Sequence, residues 1–136
     1  MEVNENVKKA FSIAVEARLK AYAPYSKFLV GACVKIKGKD EYVSGCNVEN
    51  ASFGATVCAE RTAVLTSVST FGKCEYDFLV LVTNADPLAP PCGLCLQVLS
   101  EFCALDLPIY LANTEGIQKE YSLKDFLPRP FEKSAL

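Results

Sequence analysis

Phe78-Leu79-Val80-Leu81-Val82-Thr83 is a short apolar run of the kind that forms a strand buried on both faces. A loop with three prolines follows, from Asn84 to Pro91. Cys92 or Gly93 then opens a helix that ends near Cys103, and Leu107 to Ala112 is a second buried strand. A strand, a helix and a strand in this order make the two strands locally parallel, because the helix carries the chain back across the sheet.

Upstream, Glu5 to Tyr22 reads as an amphipathic helix. Val7, Ala10, Phe11, Ala14, Val15, Arg18 and Leu19 follow the i, i+3, i+4 pattern, with Arg18 contributing its stem. Ala23-Pro24-Tyr25-Ser26 breaks that helix. Phe28 to Ile36 and Glu41 to Asn47 read as a hairpin about the turn Lys37-Gly38-Lys39-Asp40. Asn50 to Thr56 is a loop, and a helix runs from about Ala59 to Thr70. Downstream, Asn113-Thr114-Glu115-Gly116 turns into a last strand, Ile117 to Tyr121. Ser122 then caps a short helix that Pro128 and Pro130 end. The expected fold is α/β: a mixed five-stranded sheet with helices on both faces, a three-layer α-β-α sandwich. There is no internal repeat or linker, so residues 1–136 are expected to form a single domain.

The composition agrees with one packed domain: of 136 residues, 51% are hydrophobic and 22% charged. A formal net charge of −2 gives no basic footprint for a nucleic-acid polymer. The apolar runs are too short to span a membrane. Met1 to Lys9 is polar, and Glu2 and Glu5 do not fit a transit peptide, so a cytoplasmic protein is expected.

The chemistry lies in Cys58-Ala59-Glu60 and in Pro91-Cys92-Gly93-Leu94-Cys95, in a chain with no histidine. Three thiolates suit Zn²⁺ and leave the fourth tetrahedral position open, which is the pattern of a catalytic site. Both motifs fall where a loop becomes a helix, and the positive end of a helix stabilises thiolates. Glu60, two residues from Cys58, is the proton carrier at the open position. Zinc with three thiolates carries a net charge of −1, so Arg61 is read as a donor to a ligand sulfur. The chain has seven cysteines, an odd number. Cys33, Cys46, Cys74 and Cys103 lack ligand-like neighbours at short spacing and read as reduced hydrophobes.

These motifs carry a resemblance that extends from about Tyr22 to Phe131. It includes Ala23-Pro24-Tyr25-Ser26-Lys27-Phe28 with Val30-Gly31, and Gly45-Cys46-Asn47-Val48-Glu49-Asn50-Ala51-Ser52. It continues through Cys58-Ala59-Glu60-Arg61-Thr62-Ala63 and Pro91-Cys92-Gly93-Leu94-Cys95-Leu96-Gln97-Val98 to Leu127-Pro128 and Phe131. The chain resembles the small, homotetrameric, zinc-dependent cytidine deaminases, whose zinc signature it carries. The resemblance implies Cys58, Cys92 and Cys95 as zinc ligands and Glu60 as the catalytic acid and base. It implies that Phe28 lines the pocket, that Asn47 and Glu49 hold the ribose hydroxyls, and that Ala59 offers its backbone N–H to the cytosine edge. Phe131 would come from a neighbouring subunit, so that active sites are shared. The substrate implied is a small nucleoside, cytidine and also deoxycytidine, in pyrimidine salvage.

Two positions depart from the family pattern. Leu96 stands where many relatives have arginine, and Phe53 where many have tyrosine. Three other readings remain open from the residues: a sister deaminase of a nucleoside-like antibiotic such as blasticidin S, an RNA-editing deaminase, and a non-catalytic zinc-stabilised module. The last would need a fourth protein ligand.

Overall fold

The computed structural model describes residues 1–136. Helix α1 (Glu5–Arg18) starts at the N-cap Asn4, whose side chain accepts the Val7 N–H at 2.9 Å. Strands β1 (Gly31–Ile36) and β2 (Tyr42–Cys46) form the hairpin. Helix α2 (Ala59–Phe71) and strand β3 (Tyr76–Val82) follow. Next come helix α3 (Gly93–Phe102), strands β4 (Pro108–Asn113) and β5 (Gly116–Ser122), and the short helix α4 (Leu123–Phe126). The sheet order is β2-β1-β3-β4-β5. Only β3 and β4 pair in parallel, across Leu79–Val82 and Ile109–Ala112, and the other three pairings are antiparallel. Because β1 is antiparallel to both β2 and β3, those two run the same way. Each long crossover through a helix therefore joins strands of one direction.

Strand periodicity sorts the core into two layers. Ala32, Val34, Leu79 and Leu81 face α2, α3 and α4 in one cluster, with Val64, Leu99 and Leu123. Cys33, Phe78, Val80 and Val82 face α1 in the other, with Val7, Ala10 and Ala14. The apolar run of β3 serves both layers, which explains why it does not alternate with polar residues.

Two expected boundaries shift for visible reasons. The first helix ends at Arg18, not Tyr22, and Leu19 is exposed. Tyr22 is drawn out to bridge Val48: its N–H donates to the Asn47 carbonyl at 3.0 Å, and its own carbonyl accepts from Glu49 at 2.8 Å. The strand expected from Phe28 begins only at Gly31. Before it, the buried Asn47 side chain replaces the ladder, accepting from Val30 N–H at 2.9 Å and donating to the Phe28 carbonyl at 2.7 Å.

Two glycines let helices rest directly on strands. A Cβ on Gly31 would lie 2.0 Å from the Ala14 carbonyl oxygen of α1. A Cβ on Gly45 would lie 2.4 Å from the Ala63 nitrogen and 2.6 Å from the Ala59 oxygen of α2. Gly45 thus fixes how closely the first turns of α2, which follow Cys58 and include Glu60, approach the sheet. Gly45→Ala is predicted to destabilise the fold by at least about 1–3 kcal/mol through overpacking, as measured by urea unfolding. Gly54→Ala, with nothing within 4 Å of the added carbon, is the neutral control.

Candidate metal centre

Cys58 is the N-cap of α2 and Cys92 the N-cap of α3. Cys95 lies in the first turn of α3 and is buried, whereas Cys92 is exposed. The two helix starts meet on one face of the sheet and bring three sulfurs together. Cys58 Sγ is 3.6 Å from Cys92 Sγ, Cys92 Sγ is 3.4 Å from Cys95 Sγ, and all three lie within 4.8 Å of one another. A tetrahedral zinc with bonds of about 2.3 Å sets its sulfurs about 3.8 Å apart, so the donor set fits this ion. The cluster holds three residues, and Cys33, Cys46, Cys74 and Cys103 are not among them. It therefore offers no fourth sulfur to close the site.

Electrostatics around the sulfurs follow from their crowding. A hydrogen bond with Cys95 is the main reason that Cys58 is held down at about 5, with Arg61 and Cys92 helping against its burial. The same bond, together with burial, raises Cys95. Without a cation the sulfurs share protons, and metal binding must displace them. Arg61 donates from Nη2 to Cys58 Sγ at 3.5 Å and to the Thr56 carbonyl at 3.4 Å. Its Nε is buried without a partner, leaving one donor of the guanidinium unused. Leu96 packs into the core under α3, so it offers the sulfurs no charge.

Glu60 is only 4% exposed, in the first turn of α2. Burial pushes its carboxyl up to about 7. Ala59 is fully buried at the first helical position, where a backbone N–H has no acceptor within its own helix.

The other residues singled out from the sequence separate into two places. Asn47 and Glu49 brace the segment that carries Phe28. Glu49 Oε1 accepts the N–H groups of Tyr25 and Ser26, each at 3.1 Å, and its other oxygen accepts the Ser26 hydroxyl. The Ser26 hydroxyl oxygen in turn accepts the Phe28 N–H at 3.0 Å. These bonds, with Ser26 foremost, lower the pKa of Glu49. Between them Lys27 adopts a left-handed φ of 61°, uncommon for a side chain of this kind. Phe28 is 40% exposed. Sequence reasoning did not single out Ser26 for this link; its signal was a hydroxyl residue directly after Pro24-Tyr25, which is turn chemistry.

Phe131 is elsewhere. Its carbonyl accepts from Gln97 Nε2 of α3 at 2.9 Å, and the residue is 62% exposed. It shares a groove with Lys73, Ser100 and Glu101, toward the far end of α3 from Cys92. Within one chain, Phe131 is not part of the sulfur cluster.

The fold and this donor set define an α/β protein with a three-sulfur site that suits zinc. Residues 4–111 match the family model for the cytidine and deoxycytidylate deaminase zinc-binding region, and the chain belongs to that family. It is 40% identical to a cytidine deaminase of Sporosarcina psychrophila over 96% of this chain and 95% of the relative. A cytidine deaminase of Halalkalibacterium halodurans is 41% identical over 87% of this chain and 88% of its own. The crystal structure of a cytidine deaminase from Burkholderia pseudomallei superposes with a TM-score of 0.86 at 35% identity, covering 95% of this chain and all of that one.

Arg61→Gln is predicted to weaken zinc binding about 10–100-fold, the usual cost of losing a partner that bonds a metal ligand. Competition with a chromogenic chelator measures it. Unchanged affinity would make the Arg61–Cys58 contact incidental.

Proposed function

We propose that this protein hydrolyses the exocyclic amine of cytidine, giving uridine and ammonia, and that deoxycytidine is a second substrate. The observation that carries this reading is the buried Glu60 carboxylate two residues from Cys58, beside a three-sulfur cluster with no fourth protein ligand. Cys58, Cys92 and Cys95 are the residues that would hold zinc. When bound, zinc supplies Lewis acidity and makes water a nucleophile near neutral pH.

The chain's own groups do the rest. Glu60 accepts one proton from the attacking water and delivers it to N3 of the cytosine ring; it then takes the proton of the new hydroxyl at C4 and gives it to the amine, so that the C4–N bond breaks, ammonia leaves and the C4 carbonyl remains. A carboxyl raised to about 7 by burial can hold and release a proton near neutrality, as such a role requires. The free Ala59 N–H at the start of α2 orients the base. Phe28 supplies an apolar wall, on a segment held by the Asn47 and Glu49 side chains. The oxygens of Asn47 and Glu49 retain acceptor capacity for ribose hydroxyls. Arg61 offsets part of the thiolate charge.

The working unit is a homotetramer with shared sites, in the cytoplasm, serving pyrimidine salvage. Support comes from apolar side chains left uncovered in the single chain: Phe53, Phe131, Leu94, Tyr22 and Tyr25 are all more than half exposed. The seven free cysteines suit a reducing compartment. No helix is long and apolar enough to cross a membrane.

Glu60→Ala is predicted to keep its zinc and fold while losing about 10²–10⁴-fold in turnover, followed as ammonia release or the ultraviolet change of cytidine. Near-normal turnover would contradict the assigned role. Sharing of sites has its own test. Glu60→Ala subunits and Phe131→Asp subunits, each inactive alone, should recover partial activity when mixed and exchanged. No recovery, with exchange verified by native mass spectrometry, would mean that each site is built within one chain.

A further inference from the structure

Resting on the zinc-site reading above, we propose that Cys92 and Cys95 form a redox switch: a hydroperoxide closes them into a disulfide, and zinc is released. Their sulfurs are 3.4 Å apart, and both belong to the start of α3. Closing them needs side-chain rotation within one helical turn. Closing Cys58 to Cys92, 3.6 Å apart, would tie two helices together.

The two sulfurs differ in access. Cys92 is an exposed N-cap, and the space where a side chain on the adjacent Gly93 would point is open. Cys95 is buried behind it. An exposed sulfur that meets the oxidant, backed by a buried one that resolves it, is the arrangement of a reversible dithiol. Cys33 and Cys103 compete poorly, because burial pushes both up to about 12, far from the reactive thiolate form.

The reaction balances. The Cys92 thiolate attacks one peroxide oxygen, the O–O bond breaks, and the departing hydroxide takes a proton to become water. The Cys95 thiolate then attacks the Cys92 sulfur; the S–S bond forms, the S–O bond breaks, and a second water leaves. Two thiols and one hydrogen peroxide give one disulfide and two waters, with the sulfurs oxidised and the peroxide reduced. Only Cys58 then remains as a thiolate donor, and a single thiolate does not hold zinc in a defined site. A dithiol reductant reverses the change.

The test uses the full-length, freshly reduced, zinc-loaded protein and hydrogen peroxide. Zinc release is followed with a chromogenic chelator, free thiols are counted, and peptides are mapped by mass spectrometry. The expected result is that zinc leaves in step with the loss of two of the seven thiols. The disulfide should map to Cys92–Cys95, and dithiothreitol with zinc should restore the metal site. The zinc-free protein should form the same disulfide more readily. Loss of zinc with only sulfinic or sulfonic products, a disulfide at another pair, or retention of zinc and all thiols in excess peroxide would overturn the proposal. Failure of the deaminase reading looks different: reduced, zinc-loaded protein would release no ammonia from cytidine, while the disulfide map would still decide the switch.

Discussion

Three sulfurs held within 4.8 Å of one another are a repulsive arrangement once they lose their protons, and the rest of the molecule is organised around supporting it. Two helix starts converge on the cluster, each presenting the positive end of its dipole. Arg61 adds a full charge at 3.5 Å from Cys58. A divalent cation supplies the remainder, and in its absence crowding lowers the pKa of Cys58 and raises that of Cys95. The fold's task is to bring two helices from different crossovers to the same end of the same sheet face. The central strands accomplish this, since β2, β3 and β4 all run in one direction and the crossovers between them pass through α2 and α3.

The closeness of α2 to the sheet adds a second constraint. Gly45 has no room for even a methyl group, so the turn that bears Glu60 is pressed against β2. The Glu60 carboxylate in that turn is buried, and burial raises its pKa to about 7.

Much of this was readable from residue order. The apolar run of β3, the loop-to-helix positions of Cys58 and Cys92, and the Ser122 cap of α4 all follow from local pattern. Ser122 donates from its backbone N–H at 2.8 Å and from its hydroxyl at 3.1 Å to Asp125 Oδ2, which ties the start of α4. Long-range side-chain bonds were not readable. Nothing local says that Asn47 replaces the sheet ladder before Gly31, or that Tyr22 leaves the helix to bridge Val48. The pairing of Cys92 with Cys95 was legible because their spacing puts both at the start of one helix, whereas the arrival of Cys58 from α2 depends on the fold. The bracing of Phe28 by Glu49 through Ser26 was not, because those residues lie more than twenty positions apart. The place of Leu96 in the core likewise became clear only from packing, and it leaves charge compensation to Arg61 and the helix ends.

The central claim is that three protein sulfurs hold zinc and leave one position for the reaction. X-ray absorption at the zinc edge, on reduced and zinc-loaded protein, tests it most directly. The account predicts three sulfur neighbours at about 2.3 Å and one lighter neighbour at about 2.0 Å. Four sulfurs would contradict it, making the site a closed structural one and removing the place where Glu60 could act.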